Sequence, residues 1–263
     1  MGFLFDLDCC GSGINLHLFL GKQMKTANKI PSFGFLPTLL LFGSAGIILY
    51  VETNFLIPFL AKTSGIETVI WWFIVAAFGM FIPLLFIASY FLRKEGWLFK
   101  TGMWKERLRF RKMNAGDWLW GIGGILAIGI LSYPIMMLIE TLTGLVDHQP
   151  PFMQFEPLTA GRYWILLVWL PYWIFNIMGE EILWRGVILP RQEASFGKYT
   201  WLIHGFGWGL FHIAFGWQLL VTLIPILFVQ SFIVQKRKNS WIGVFIHAGI
   251  NGPSFIAISL GLL

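Results

Sequence analysis

The chain has 263 residues, of which 57% are hydrophobic, 17% aromatic and only 12% charged. A soluble domain of this size could not stay in solution with such a composition, so the numbers indicate a membrane protein. The formal net charge of +6 does not support a nucleic-acid partner, because the basic residues are distributed as in membrane proteins. The lipid bilayer is therefore the first expected partner.

The apolar runs predict an all-α, polytopic transmembrane bundle of about seven helices, because each run can cross about 30 Å of hydrocarbon. They cover residues 33–51, 66–92, 118–140, 163–179 and onward, 201–216, 219–234 and 241–263. We expect one membrane domain over residues 33–263. Residues 1–32 are expected to be an N-terminal extension, disordered or upstream of the true start, since Met24 also reads as a start. The fourth helix is expected to end before Pro190, because the residue before a proline disfavours helical backbone.

The basic residues predict the orientation of these helices. Seven alternating spans place 17 of the 19 Lys and Arg residues on one side, and only Lys62 and Arg162 on the other. The positive-inside rule then gives a cytoplasmic N-terminus, in the plasma membrane if the protein is bacterial. Cys9 and Cys10 are adjacent and predicted to be cytoplasmic, so we expect no structural disulfide.

Ionisable groups inside a membrane are expensive and are functional candidates by default. The apolar runs contain few of them, and at a rise of 1.5 Å per residue those on three different helices fall at similar depths. They are Glu180, Glu181 and Arg185 in helix four, His204 and His212 in helix five, and His247 with Asn251 in helix seven. We interpret them as one polar pocket open to the cytoplasm. Helices one to three are expected to carry no ionisable group within the membrane.

Spacing suggests different tasks for the two glutamates. Glu181 and Arg185 are four residues apart and share a helix face, as an ion pair prefers. Glu180 points about 100° away, shares its face with Asn176 and has no obvious local partner. We expect a structural role for Glu181 and Arg185, and a chemical role for Glu180.

The remaining polar residues divide in the same way. His247 and Asn251 are also four residues apart and could together hold a carbonyl oxygen that becomes negative during attack. His212 could make an interhelical hydrogen bond. We favour a functional role, because polar residues of two other helices lie at the same depth. For His204 we expect a pore-lining or packing role, and for Trp208 a packing role.

Three short segments together resemble the motifs of one known family. They are "EEILWR" from Glu180 to Arg185, "WGLFH" from Trp208 to His212 and "HAGIN" from His247 to Asn251. These segments are similar to the EExxxR, FxxxH and HxxxN motifs of the CPBP family, the CAAX protease and bacteriocin-processing or Abi family, which includes the Ras-converting CAAX prenyl endopeptidase. Trp208 stands where the family usually has Phe. The resemblance covers roughly residues 160–255.

The resemblance implies an intramembrane endopeptidase of the glutamic type. Carried over by position, Glu180 activates water with the help of His212, and His247 and Asn251 form the oxyanion hole. Glu181, Arg185 and Trp208 are supporting residues. The resemblance implies no cofactor. A zinc ion bound by Glu180, His212 and His247 is the alternative, which we disfavour because the HExxH spacing of zincins is absent.

Other functions remain open at this stage. The family includes bacteriocin-immunity and partner-binding membrane proteins that need not cleave anything. A transporter or channel would also bury carboxylates and histidines, but its polar positions should follow a path across the membrane. The expected partner is a peptide or protein substrate, membrane-attached or prenylated, or a peptide precursor such as a bacteriocin.

Overall fold

The computed structural model describes residues 30–96, 104–144, 150 and 155–262. The predictions for Cys9, Cys10 and most of the N-terminal extension lie outside these residues. Within them the fold is entirely helical, without a strand, which confirms the predicted helical bundle.

Seven long helices make up the described part of the bundle. They are α1 (Phe35–Ser64), α2 (Thr68–Lys94), α3 (Ala115–Thr143), α4 (Ile165–Glu180, Glu181–Ile188 and Leu189–Phe196), α5 (Thr200–Phe211 with a 3₁₀ turn at His212–Phe215), α6 (Trp217–Arg237) and α7 (Ser240–Ser259). Six helical stretches are long and apolar enough to span a membrane, since α4 and α5 form one continuous stretch, Ile165–Phe215. The chain is thus an integral, multi-pass membrane protein.

The first helix continues to Ser64 and includes a π-helical turn at Glu52–Leu56, well beyond the predicted end at Val51. The Glu52 side chain is buried and packs so closely against Gly79 of α2 that a Cβ there would overlap its carboxyl group. The prediction that helices one to three carry no buried ionisable group inside a span was therefore wrong. It failed because Glu52 was assigned to the loop after the first span.

We had predicted that α4 ends before Pro190. This prediction was wrong, because the helix continues to Phe196. Proline lacks an N–H group, so the carbonyl of Gly186, four residues earlier, loses its usual helical donor. The side chain of Arg107 replaces that donor, with Nη1 2.9 Å from the Gly186 oxygen. The segment Glu181–Ile188 just before the proline is π-helical. An arginine distant in sequence thus supplies a donor to a carbonyl just before the proline.

Arg107 belongs to a buried ion cluster with Glu95 and Arg191. Its Nη2 is 2.8 Å from Glu95 Oε1, and Arg191 Nε is 2.7 Å from the same oxygen. All three residues are buried. The cluster joins the end of α2, the single helical turn Trp104–Arg107 and the last part of α4.

The helix ends form two faces. One face, which we call the basic end, joins the segment before α3, the end of α4 and the turn between α6 and α7. Its ion pairs are Arg109 with Glu193, Lys238 with Glu193, Arg111 with Asp117 and Arg237 with Asp117. At the other face, the opposite end, Arg162 pairs with Glu67, and the Leu158 N–H donates to the Ser259 carbonyl at 2.8 Å. Antiparallel helices connect the two ends.

Helices α1 and α5 approach closely through glycines. A Cβ at Gly46 of α1 would overlap the carbonyl oxygen of Leu210, and a Cβ at Gly207 of α5 would come within 2.6 Å of the Phe42 ring. Such small residues allow backbones to meet inside a membrane. Gly46 thereby places α1 directly beside the end of α5, where His212 lies.

We expect Glu95→Gln to lower the free energy of unfolding in detergent by about 3 to 5 kcal/mol, because it leaves two buried guanidinium groups without their counter-charge. Arg93→Gln is the matched control, since Arg93 lies in the same turn but is exposed, and it should change the value by less than about 0.5 kcal/mol. Equal stability of the two variants would contradict a stabilising role for the cluster.

We also expect Gly46→Ala to destabilise the bundle by about 1 to 3 kcal/mol, because the new methyl group forces α1 away from α5. Gly43 lies on the same helix with open space around its Cβ position. Gly43→Ala should therefore be neutral or stabilising by up to about 1 kcal/mol, since alanine is the better helix former. Thermal unfolding in one detergent compares the two, and a loss for both variants would contradict the close approach.

Candidate active site

A cavity of about 200 Å³ lies between α2, α4, α5, α6 and α7. The four residues expected to be catalytic, Glu180, His212, His247 and Asn251, all line it. Glu180 belongs to α4, His212 to the last turn of α5, and the other two residues to α7. The structure therefore brings together the polar groups that the sequence placed at one depth.

Glu180 is the last residue of the regular α-helical part of α4 and is almost completely buried. Its two carboxyl oxygens accept separate hydrogen bonds: Asn176 Nδ2 donates to Oε1 at 2.9 Å, and Trp208 Nε1 donates to Oε2 at 2.6 Å. The carboxyl group is thus held on the cavity wall by two neutral donors, although the sequence had suggested no obvious partner for it.

Glu181 starts the π-helical segment and faces away from the cavity. Its Oε1 atom lies 3.2 Å from Arg185 Nη1, 2.8 Å from Gln230 Nε2 and 2.9 Å from His247 Nδ1. The expected ion pair with Arg185 is present, and the carboxylate also ties α4 to α6 and α7. Gln230 was missed by the sequence analysis, although a glutamine within the apolar run of α6 was a usable signal.

Trp208 does more than pack. Its indole N–H holds Glu180, and the Arg185 guanidinium lies over its ring, with Cζ 3.4 Å from the ring centroid. Cation–π contact of this kind stabilises a desolvated arginine. One tryptophan therefore links the side chains of Glu180 and Arg185, which point in different directions.

The two histidines are each held through Nδ1. His212 Nδ1 is 2.8 Å from the carbonyl oxygen of Trp208, and this oxygen can only accept, so Nδ1 carries a proton. The His212 Nε2 atom is therefore the acceptor of the neutral ring. His247 Nδ1 faces the Glu181 carboxylate and in the same way leaves Nε2 for a ligand. Both rings are oriented before any substrate binds.

His204 is not part of the cavity. It is buried, its Nδ1 is 2.6 Å from Gln192 Oε1, and its ring meets Phe42 edge to face. Of the two roles expected for it, pore lining and packing, these contacts favour packing.

A zinc ion would need three converging ligands. Among the described residues, no group of three His, Cys, Asp or Glu side chains has an arrangement that could hold a metal. Both oxygens of Glu180 already accept hydrogen bonds. The zinc alternative at Glu180, His212 and His247 does not fit this side-chain geometry, and we derive no reaction step through a metal.

The cavity does not lie toward the basic end. On α4 it is lined by Trp169, Tyr172, Asn176 and Glu180, but by no residue after Glu180. On α7 its lining continues from His247 to Ile258, one residue before the helix ends at the opposite end. The side of the membrane from which the cavity is reached stays a prediction.

Comparison with known proteins agrees with this geometry. Residues 162–252 match the family model described as type II CAAX prenyl endopeptidase Rce1-like. The match spans all three motifs and the four residues on the cavity wall. No curated protein and no solved structure is significantly similar to the chain. The resemblance noted from the motifs is therefore confirmed: residues 162–252 are similar to the Rce1-like type II CAAX prenyl endopeptidases.

Proposed function

We propose that the protein is an intramembrane endopeptidase of the glutamic type, which hydrolyses a peptide bond inside the cavity. The observation that carries this proposal is the meeting of Glu180, His212, His247 and Asn251 on one cavity wall. The family match supports a protease in general terms, and the residue roles, which the resemblance implies, are part of the proposal.

Glu180 is the proposed general base. A water molecule between Glu180 and the scissile carbonyl loses its proton to the carboxylate, while its oxygen forms a bond to the carbonyl carbon. His212 assists by accepting a hydrogen bond from that water at Nε2. The proton then passes to the leaving nitrogen as the C–N bond breaks, which yields a carboxylate and an amine.

His247 and Asn251 are the proposed oxyanion donors. Their side chains are one helical turn apart on α7, and both line the cavity. Asn251 offers its amide N–H, and His247 offers Nε2–H when its ring carries both protons, a state in which the imidazolium is paired with the Glu181 carboxylate. Donors already fixed in place stabilise the developing negative charge without reorganisation.

Asn176 offers a contact for the substrate backbone. Its Nδ2 donates to Glu180, whereas its Oδ1 is buried without a partner among the described residues. Asn176 lines the cavity. A peptide N–H could satisfy this acceptor, and unsatisfied buried polar atoms are expensive. We therefore assign Asn176 a role in positioning the peptide as well as the base.

We expect Glu180→Gln to lower kcat for peptide cleavage by roughly 10²- to 10⁴-fold, because a general base contributes about that factor. The assay is hydrolysis of a quenched fluorescent peptide library by the purified protein in detergent. Glu52→Gln is the matched control, since Glu52 is also a buried membrane carboxyl but does not line the cavity. It should retain activity. Unchanged cleavage by Glu180→Gln would disprove the mechanism, and no cleavage by the unaltered protein would favour a binding function.

We expect strong chelators to leave cleavage unchanged, because the proposed steps use only side chains and water. The same fluorescence assay is run after dialysis against the chelator, with and without added zinc. Loss of activity that zinc restores would replace this mechanism with the metal-dependent alternative.

A further inference from the structure

We propose that a groove on the outer surface of α3, α4 and α7 binds an anionic phospholipid. One acyl chain lies in the groove, and the phosphate lies against the basic end. The groove is separate from the cavity that Glu180 lines, and the inference does not rest on the proposed protease activity.

The groove has a volume of about 540 Å³ and an apolar wall. Tryptophans contribute much of that wall, and small residues of α7 leave space between them. Its lining includes Trp118, Trp169, Trp173, Trp241, Val244 and Ala248. No charged side chain of the described part of the chain lines it. Within the hydrocarbon of a bilayer, such a surface meets acyl chains rather than water.

Stacked aromatic rings separate the groove from the cavity beside Glu180. Of the described residues, Trp169 is the one that lines both spaces. Its ring stacks on Phe255, with centroids 4.9 Å apart, and lies 5.5 Å from the ring of Trp173. Trp169 is buried. A molecule in the groove therefore has its own binding surface and does not occupy the proposed peptide site.

The length of the groove matches one leaflet of a bilayer. Along α7 its lining runs from Trp241 to Pro253, which is about 18 Å at the helical rise. One leaflet contributes half of the hydrocarbon thickness of about 30 Å. The groove starts at the basic end, where Trp118 and Trp241 are exposed, as tryptophans at a membrane interface commonly are. A chain in the groove would thus have its headgroup at the basic end.

The basic end has an excess of positive charge where the groove begins. Arg111 and Arg237 share one carboxylate, that of Asp117, which is fully buried. The Arg111 side chain is 44% exposed. Lys112 is also exposed and directly precedes Met113, which lines the groove. Basic residues beside a pocket between transmembrane helices bind anionic headgroups.

This charge favours a phospholipid over two other occupants. A second copy of the chain, seated on the same groove, would bring two sets of basic residues together, and like charges at an interface are unfavourable. An isoprenoid chain would fill the apolar part but leave the positive charge without a counter-charge. An anionic phospholipid fits both the groove and the charge.

Native mass spectrometry of the purified protein tests the headgroup. After lipid is removed by detergent exchange, the protein is titrated with phosphatidylglycerol or phosphatidylcholine that carry the same acyl chains. We expect the first phosphatidylglycerol to bind at least about fivefold more tightly, and Lys112→Gln to reduce its affinity about fivefold, as one basic residue near a lipid surface contributes. Lys62→Gln is the matched control, since Lys62 is equally exposed at the opposite end, and it should change neither affinity.

A second pair of variants tests the groove itself. Ala248→Phe places a ring where the acyl chain lies and should weaken the binding of both lipids at least about fivefold. Ala257→Phe is its control, because Ala257 is also partly exposed on α7 but lines neither the groove nor the cavity. Thermal unfolding in detergent shows whether each variant is folded. If Ala248→Phe does not fold, the comparison of Lys112→Gln with Lys62→Gln still decides the test.

Four results would overturn the proposal. Equal affinity for the two lipids would remove the role of the charge, and full binding by folded Ala248→Phe would remove the groove. Tighter binding of S-farnesylcysteine methyl ester than of phosphatidylglycerol would assign the groove to an isoprenoid chain. A dimer that Ala248→Phe lacks would assign it to a second copy. None of these measurements requires cleavage, so failure of the proposed protease activity is detected separately by the peptide assay.

Discussion

The Glu181 carboxylate is the interaction on which the rest of the site depends. One oxygen lies against Arg185 on its own helix, Gln230 on α6 and His247 on α7. In a bilayer no water competes for this carboxylate, so its partners must come from the protein. The resulting contacts hold three helices in one register and fix the imidazole of His247, which lines the cavity. Arg185 extends the network to Trp208, and Trp208 extends it to Glu180, the proposed general base.

The change from α-helical to π-helical backbone falls between the two glutamates. Glu180 ends the regular part of α4 and Glu181 starts the π-helical part. π-helical turns are uncommon and occur often at functional sites. Here the two neighbouring carboxyl groups lie in different environments. The Glu180 group lines the cavity, and the Glu181 group is buried among the helices. Arg107 supports the irregular segment by donating to the carbonyl freed at Gly186.

Much of this architecture could be predicted from the sequence, because helix length and apolarity are local properties. The apolar runs predicted the spans. The rise per residue was enough to predict that four polar residues share one depth, namely Glu180, His212, His247 and Asn251. The continuation of α4 past Pro190 could not be predicted, since the backbone changes there from π- to α-helical and the donor to the Gly186 carbonyl, Arg107, lies 79 residues earlier. Gln230 and the indole N–H of Trp208 were missed because their partners are on other helices. The direction of the cavity also depends on packing between helices.

The close contact at Gly46 has a consequence for the evolution of the chain. The family match begins at residue 162, yet Gly46 and Phe42 pack on the helix that carries His212. The segment that matches the family model therefore packs on a helix outside that match. Substitutions in α1 and α5 must change together, so the first helix is expected to coevolve with a site to which it contributes no reactive group.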